Sequence, residues 1–327
     1  MGPPDVELLV TGLVYGFTFL VGIIGNGLIV YSVIQFRQMK SLSNVFLASL
    51  ATADLILIIC CVPVKFAQLF SYTWTFGKFL CKFVHYIQNL SAICSVYTLT
   101  AMSIERYYAI MYPVECRYIC TMSQTKRIIF FTWFGSIILA TPVLWIQILM
   151  EVGDENHRGY WCIRDWDNQL GWKIYELYML SIILIIPSII MSYSYAHICK
   201  RLWFLMHNRR SEFPLSLQQP TVYLDASTNK MSQVIRMLIV VVIIFVLCWT
   251  PILVINVLTA FGIMPTLNYG HLKAIKTTFH LFSYANSCVN PIIYGFMSRN
   301  FRASFGAALV KCLGCKKRHT NEITSII

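Results

Sequence analysis

The chain has 327 residues, of which 57% are hydrophobic and only 12% are charged, and its formal net charge is +12. A soluble domain usually carries about twice this share of charged residues, and here the basic residues lie in short segments between apolar runs. This layout argues against a soluble nucleic-acid-binding protein, which needs a basic face on a soluble fold. Six of the 12 cysteines lie inside apolar runs, and no set has the spacing of a zinc site.

Seven long apolar runs follow one another along the chain, and each is long enough to cross a bilayer as a helix. They predict an all-α membrane protein, a seven-transmembrane helix bundle with a short amphipathic eighth helix. The predicted parts are an extracellular N-terminus (1–7), a transmembrane domain (8–298), and an amphipathic helix with a cytoplasmic tail (299–327). The predicted spans are 8–36, 44–70, 81–106, 127–149, 172–204, 233–261 and 272–298.

The orientation follows from Lys and Arg near the span ends, because cytoplasmic loops are richer in these residues. One side of the predicted bundle, which includes Arg37, Arg106 and Arg302, collects most of them, whereas most acids lie on the other side. We therefore predict a multi-pass plasma-membrane protein with its N-terminus outside the cell.

Asp54 lies in the middle of the second span, where a carboxylate is costly. One interpretation is a neutral carboxyl group bonded to its neighbours. The alternative is a small hydrated cavity or ion site, which is favoured because other polar residues fall at a similar depth. These residues are Asn26, Ser95, Asn286, Ser287 and Asn290.

Glu105, Arg106 and Tyr107 lie at the cytoplasmic end of the third span. A lone arginine there would extend toward the membrane surface, but this flanked arginine suggests a lock that opens. Because Glu105 and Arg106 are adjacent, we expect their side chains to point in different directions. Pro251 near Trp249 in the sixth span, and Pro291 in the seventh, predict bends that serve as hinges.

Two cysteines lie on the predicted outer side. Cys81 begins the third span, and Cys162 lies in the largest outer loop. The extracellular side is oxidising, so a disulfide between them is expected to fasten the loop over the bundle mouth. The alternative is a pair of free thiols.

Taken together, these residues resemble the class A, or rhodopsin-like, G-protein-coupled receptors over nearly the whole chain. The resemblance depends on GNGLIV at 25–30, LASLATADL at 47–55, Cys81, Glu105-Arg106-Tyr107, Trp133, Cys162, Pro187, Tyr195, Phe245, CWTP at 248–251 and NPIIY at 290–294. WTFG at 74–77 is similar to a motif of peptide receptors. Within the neuropeptide and peptide-hormone branch, different segments resemble cholecystokinin receptors and thyrotropin-releasing-hormone receptors.

The resemblance implies roles for individual residues. The sodium pocket would comprise Asp54, Ser95, Asn286, Ser287 and Asn290. The activation switch would comprise Glu105, Arg106, Tyr107, Tyr195, Phe245, Trp249, Pro251 and Tyr294. Arg106 and Val114 would contact the G protein, and Cys312 and Cys315 are candidates for palmitoylation.

The ligand class is predicted from residues that match the outer pocket. Gln88 occupies the position where amine receptors have an aspartate, and Tyr284 occupies that of the retinal-binding lysine in opsins, so neither ligand is expected. The mixed polar and charged set instead favours a peptide, although its charge stays open. The candidate ligand-binding residues are Lys65, His85, Gln88, Tyr175, Glu176, Asn256, Lys276, His280 and Tyr284.

The expected function is peptide-driven activation of a heterotrimeric G protein, with calcium signalling and with arrestin as a further partner. Sodium is the only small ion expected, and no other cofactor and no nucleic acid is predicted. The four C-terminal residues, 324–327, fit a PDZ-domain ligand, a motif that also arises by coincidence. Alternatives are a receptor for a lipid or another small non-amine ligand and, more remotely, a channel or transporter. An enzyme is disfavoured because no nucleophile with a base and an orienting group is apparent.

Overall fold

The computed structural model describes residues 5–71, 73–154, 157–211, 219–266 and 271–312. Within these ranges the helices are α1 (Asp5–Gln35), α2 (Leu42–Gln68), α3 (Gly77–Met111), α4 (Pro113–Ile119), α5 (Met122–Ala140), α6 (Val143–Ile146), α7 (Gln169–Leu180), α8 (Ile186–Ser211), α9 (Gln219–Ala260), α10 (His271–Met297) and α11 (Arg299–Cys312). A 3-10 turn covers Arg37–Met39, and a π-helical segment, Ser181–Ile185, joins α7 to α8. Two antiparallel strands, β1 (Gln147–Asp154) and β2 (His157–Arg164), form a hairpin.

The bundle contains the seven predicted crossings: α1, α2, α3, α5 with α6, α7 with α8, α9, and α10. Five of them are apolar enough to cross a membrane by length and composition alone, namely 8–35, 42–68, 122–146, 169–204 and 233–260. The other two, α3 and α10, have 35 and 27 residues and are therefore long enough, but they carry more polar side chains. The reason for α3 is its central position, since its buried residues include Gln88, Ser91 and Ser103.

Lipid-facing and buried surfaces differ sharply between helices. On α1, Leu9, Leu13 and Phe17 recur one turn apart and are each about 60% exposed. Soluble proteins rarely expose large contiguous apolar surfaces, and in a bilayer this stripe faces hydrocarbon. By contrast, α3 contacts α2, α5 and α8 and contributes Ile93, Val96 and Leu99 to the main core.

Several helix starts are explained by local capping. Ser41 precedes α2, and its hydroxyl accepts from the Asn44 N–H at 3.3 Å. Thr121 and Asn168 cap α5 and α7 in the same way. Such caps satisfy backbone N–H groups that have no partner within the helix.

The WTFG segment builds the connection between α2 and α3. The Trp74 indole N–H donates to the Gly77 carbonyl at 2.8 Å, and the Trp74 backbone N–H donates to the Tyr160 carbonyl at 2.6 Å. Gly77 has a φ of 75°, a conformation that glycine adopts without the strain of a side chain. The segment therefore joins the start of α3 to the hairpin.

One expectation about the elements was wrong. The fourth span was predicted to run to residue 149, but α6 ends at Ile146 and residues 147–149 belong to β1. The apolar residues Ile148 and Leu149 continue the hydrophobic run into the hairpin, where they pair with Ile163 and Cys162. A strand and a helix end are not separable by hydrophobicity in so short a run. Helix α4 was also not predicted.

Gly25 allows α1 to approach α10 closely, since a Cβ added there would lie 2.6 Å from Pro291 Cβ and 2.8 Å from its Cγ. We expect Gly25→Ala to lower stability by about 1–3 kcal/mol, because the proline ring is rigid and the helices must separate. Gly27→Ala is the matched control, because a Cβ at this position meets nothing within 4 Å. Thermal unfolding of the two purified variants in detergent checks this. Equal unfolding midpoints would contradict the packing argument.

Candidate functional site

The predicted disulfide is present at one end of the bundle, which we call the mouth. Cys81, near the start of α3, is bonded to Cys162 on β2, with Cα atoms 5.7 Å apart. The hairpin is further held by a bond from the Asp165 N–H to the Ile146 carbonyl at 2.9 Å. The loop is therefore fastened over the mouth, as predicted.

A cavity of about 210 Å³ lies beneath the hairpin, between α3, α7, α9 and α10. Most of the predicted ligand-binding residues line it, namely His85, Gln88, Tyr175, Glu176, Asn256, Lys276 and His280. Lys65 and Tyr284 are not among the lining residues. Tyr284 is buried behind Gln88, and its hydroxyl donates to Gln88 Oε1 at 3.2 Å. It therefore positions a cavity residue rather than facing the cavity.

Arg164 forms the main charged contact of the cavity, and sequence reasoning missed it by counting it only as a topology signal. Its Nε donates to Glu176 Oε1 at 2.9 Å, and its Nη1 donates to Gln147 Oε1 at 2.5 Å. The guanidinium also lies 4.8 Å from the centre of the Tyr175 ring. These contacts join the hairpin to α7.

The charge state of Arg164 follows from these neighbours. Burial by itself lowers the pKa of Arg164, but Tyr175 and Glu176 more than offset that effect, and the net pKa is raised above its ordinary value. The guanidinium is therefore charged. Because Glu176 also accepts from the Trp172 indole at 3.2 Å and is 3% exposed, its carboxylate is already bound within the protein.

Asp54 lies in a polar cluster at the centre of the bundle. The Ser287 hydroxyl donates to Asp54 Oδ1 at 2.6 Å, and the Asn290 amide donates to Oδ2 at 2.9 Å. Asn26 binds the Ser287 carbonyl at 2.8 Å and so attaches α1 to the cluster. The structure therefore brings together Asp54, Ser287 and Asn290 of the predicted sodium pocket.

Some oxygen atoms near this depth are buried without a hydrogen-bond partner among the described residues: Ser95 Oγ, Asn286 Oδ1 and Asn290 Oδ1. Like the Asp54 carboxylate, these atoms are oxygen ligands of the kind that hard cations prefer. Buried polar atoms are costly when left unsatisfied. The residues therefore fit a small cation such as sodium.

Trp249 connects the cavity to the core beneath it. It lines the cavity and stacks on Phe245, one turn along α9, with ring centres 6.0 Å apart. Pro251 lies two residues further, inside the same helix. The structure therefore places both residues of the predicted aromatic switch in contact, and their role as a switch stays a prediction.

At the opposite end of the bundle, Arg106 is held by Glu105. Two parallel bonds of 2.6 and 2.7 Å join the guanidinium to the carboxylate. The expectation that these adjacent side chains diverge was therefore wrong, because the arginine side chain is long enough to fold back. Such bidentate pairs are among the stronger charge-assisted hydrogen bonds.

Three tyrosines of the predicted switch lie at this end. The Ser103 hydroxyl donates to the Tyr195 hydroxyl at 2.9 Å, which joins α3 to α8. Tyr294 is fully buried and stacks on Phe301 of α11 at 5.8 Å between ring centres. Tyr107 contacts the rings of Tyr193 and His197 on α8. The switch residues are thus spread over α3, α8, α9 and α10.

Comparison with known protein families decides what this architecture is. The model of the 7 transmembrane receptor (rhodopsin family) matches residues 25–294. The chain belongs to this family. The receptor is therefore a multi-pass membrane protein and not an enzyme, and the resemblance drawn from its motifs is confirmed.

Individual relatives of the receptor are peptide receptors by name. It is 31% identical to a QRFP-like peptide receptor of Branchiostoma floridae over 93% of this chain and 78% of that protein. It is 33% identical to G-protein coupled receptor 54 of Oreochromis niloticus over 90% and 76%. A cholecystokinin receptor of Xenopus laevis is 29% identical over 98% and 81%, in keeping with the predicted resemblance to that group.

The remaining predicted sites of the receptor are Val114, the two palmitoylation candidates and the PDZ-like C-terminus. Val114 is the second residue of α4 and is 74% exposed, so a partner protein can reach it. Cys312 is the last residue of α11, whereas Cys315 and the PDZ-like residues 324–327 lie outside the described residues. Palmitoylation and PDZ binding stay predictions.

Proposed function

We propose that this receptor binds an extracellular peptide in the cavity at its mouth and, in response, activates a heterotrimeric G protein. The observation that carries the proposal is the chemistry of the cavity. It combines charged groups, amide groups and aromatic rings beneath a hairpin that is fastened at Cys162 and at Arg164. A peptide supplies backbone amides, apolar side chains and charge, and so matches this lining. The names of the relatives support the same ligand class.

The proposed orientation places the mouth and the N-terminus outside the cell. It is supported by the excess of Lys and Arg at the Arg106 end. The Arg106 end then faces the cytoplasm, where the G protein is.

The ionic contacts of the cavity favour an anionic or acceptor-rich group on the peptide. Glu176, the carboxylate lining the cavity, is bound by Arg164 and Trp172 and is almost fully buried. Lys276, His85 and His280 also line the cavity. Lys276 is partly exposed and donates to the Pro265 carbonyl at 3.1 Å, a bond that leaves two of its three donors. A peptide carboxylate or acidic side chain therefore finds a cation here.

We expect Lys276→Glu to weaken peptide potency by about 10- to 100-fold, equivalent to about 1.4–2.7 kcal/mol, because a like charge would meet the acidic group. Lys276→Arg is the matched control, since it keeps the charge, and its potency should stay within about threefold of wild type. Peptide-driven GTP loading of the G protein is the measurement. Equal losses in the two variants would show that shape, and not charge, matters at this position.

The proposed mechanism runs from Trp249 to Arg106. A peptide in the cavity presses on Trp249, and Pro251 removes a backbone hydrogen bond from α9, so this helix can bend there. Its inner end then swings outward, Arg106 exchanges Glu105 for the G protein, and Val114 contacts the same partner. Asp54 would hold a sodium ion, which would supply positive charge among buried oxygen atoms.

The proposal is tested by screening a peptide library on cells that produce the receptor, with calcium, cyclic AMP and arrestin recruitment read together. A response to one peptide class supports the proposal if it occurs in cells with the receptor at their surface and is absent from untransfected cells. Activation by lipid extracts alone would favour a receptor for a small apolar ligand. Calcium release, arrestin and a PDZ-domain partner for the last residues are proposals on the same footing, and deletion of Ile327 in a pull-down tests the last of these.

A further inference from the structure

Two cysteines, Cys116 of α4 and Cys120 directly after its last residue, have no role in the mouth, the polar cluster or the switch. Cys116 and Cys120 lie one helical turn apart, and their sulfur atoms are bonded, with Cα atoms 4.9 Å apart. Cys116 is 8% exposed, and Cys120 is the more accessible of the two. Arg117 lies between them in the chain, directly after Cys116.

The position of this pair relative to the membrane makes it unusual. Cys81 lies in the first two turns of α3, whereas Cys116 follows the last residue of that helix, Met111, by five positions. Because α3 crosses the bilayer, the Cys81–Cys162 and Cys116–Cys120 disulfides face opposite aqueous compartments. In a plasma membrane one of these is the cytosol, where thiols are kept reduced. The proposed orientation assigns Cys116 and Cys120 to that side.

We propose that Cys116 and Cys120 are a modification site, a dithiol that a peroxide oxidises reversibly to the intrahelical disulfide. In the first step the more accessible Cys120 thiolate attacks one oxygen of hydrogen peroxide, the O–O bond breaks, and the products are a sulfenic acid and hydroxide, which takes up a proton to become water. The Cys116 thiol then displaces the sulfenic hydroxyl, which leaves as a second water. Overall two thiols and one peroxide give one disulfide and two waters, and cellular thiols reverse the reaction by exchange.

The bond changes the helix on which it lies. In a straight α-helix, Cα atoms four residues apart are separated by about 6.2 Å, whereas Cys116 and Cys120 are 4.9 Å apart. The Cys120 N–H donates to the Cys116 carbonyl at 2.8 Å. Cys120 has a ψ of 70°, which is not helical, so the helix ends there. Oxidation therefore tightens the last turn of α4 and fixes the direction in which the chain enters α5.

The same helix exposes Val114, Tyr118 and Ile119. This apolar face is the surface that we propose for G-protein contact, and in that respect the consequence of oxidation rests on the proposed function. The dithiol chemistry itself does not, because it depends on the two sulfur atoms and on the compartment they face. Failure of the proposed G-protein contact can therefore be distinguished from failure of the proposed oxidation of Cys116 and Cys120.

Arg117 makes the test direct, because trypsin cleaves after it and separates the two cysteines into the peptides 107–117 and 118–126. Cells producing the full-length receptor are treated with hydrogen peroxide or left untreated, alkylated with N-ethylmaleimide during lysis, and digested. We expect both peptides to carry the alkyl group without peroxide. After peroxide they should appear as one linked species, lighter than the sum of the free peptides by two hydrogen atoms, and dithiothreitol should restore the separate peptides.

Three controls make the result decisive. Cys120→Ser should abolish the linked species while surface expression stays at the wild-type level, and Cys199→Ser, which removes an exposed cysteine of α8, should leave it unchanged. Mixing chains that carry heavy and light isotopes distinguishes a bond within one chain from a bond between two. Full alkylation of both peptides after peroxide, or linkage to Cys199 or to a second chain instead, would overturn the proposal.

Hydrogen exchange tests the structural effect on the intact receptor, purified from peroxide-treated and untreated cells before any alkylation or digestion. The amide of Cys120, which binds the Cys116 carbonyl, should exchange more slowly in the peroxide-treated receptor than in the reduced one. Cys116→Ser should show no such difference. Equal exchange in the two forms of the wild type, with the linked peptide present, would overturn the claim that oxidation tightens α4.

Discussion

Replacing Arg164 by alanine is expected to destabilise the receptor by about 3–5 kcal/mol, because Glu176 would remain buried without a cation. The carboxylate is 3% exposed, and its partners are Arg164 at 2.9 Å and Trp172 at 3.2 Å. The substitution also removes the bond to Gln147 and the contact with Tyr175. The hairpin would then remain attached through the Cys162 disulfide and the backbone bonds made by Trp74 and Asp165. Thermal unfolding of the purified variant in detergent measures the loss.

The hairpin offers a matched control for this prediction. Arg158 forms an ion pair with Glu151 at 3.6 Å, but these side chains are 67% and 52% exposed. Exposed pairs contribute little to stability, so Arg158→Ala should unfold close to the wild-type temperature. The double variant Arg164→Met with Glu176→Met should recover much of the loss, because no buried charge remains. Equal losses for Arg158→Ala and Arg164→Ala would contradict the role assigned to the buried pair.

Replacing Asp54 by alanine is expected to cost about 2–6 kcal/mol, since two buried donors, on Ser287 and Asn290, would lose their acceptor at about 1–3 kcal/mol each. The effect spreads beyond α2, because Ser287 is also bound by Asn26. Contact between α1, α2 and α10 should therefore loosen. The unfolding midpoint of the purified variant checks this expectation.

Asp54→Asn separates the structural role of this residue from the proposed ion site. Asparagine keeps the shape and one of the two acceptor oxygens, and its amide N–H can donate to the Ser287 hydroxyl, but it removes the charge that would hold sodium. We expect the unfolding midpoint of the wild type to rise when choline chloride is replaced by sodium chloride at equal ionic strength. The Asp54→Asn midpoint should not respond. A variant that keeps the full sodium response would rule out the site at Asp54.

The helical bundle is predictable from the sequence because a bilayer requires long apolar segments, and their lengths set the spans. Prediction was weaker where two elements share one apolar run, as at Ile146 and Gln147, where the helix gives way to β1. The π-helical segment at 181–185 was also not foreseen, since an extra residue in a turn leaves the apolar pattern of SIILI unchanged.

The candidate site was predictable for residues on the inner faces of known helices. His85, Gln88 and Asn256 line the cavity as expected. Arg164 was missed because its partner depends on how the hairpin folds back over α7, and spacing along the chain does not encode that contact. Lys65 does not line this cavity, and the related reason is that the sequence indicates its helix face but not its distance from the cavity.

The central claim is that a peptide in the mouth releases Arg106 at the other end for the G protein. It is tested most directly by GTP loading of a purified G protein by the receptor in lipid nanodiscs, with and without the peptide found in the library screen. Wild type should load GTP faster with the peptide, and Arg106→Ala, which removes the guanidinium held by Glu105, should bind the peptide but lose the acceleration. Peptide-accelerated loading that survives in Arg106→Ala at the wild-type rate would contradict the account.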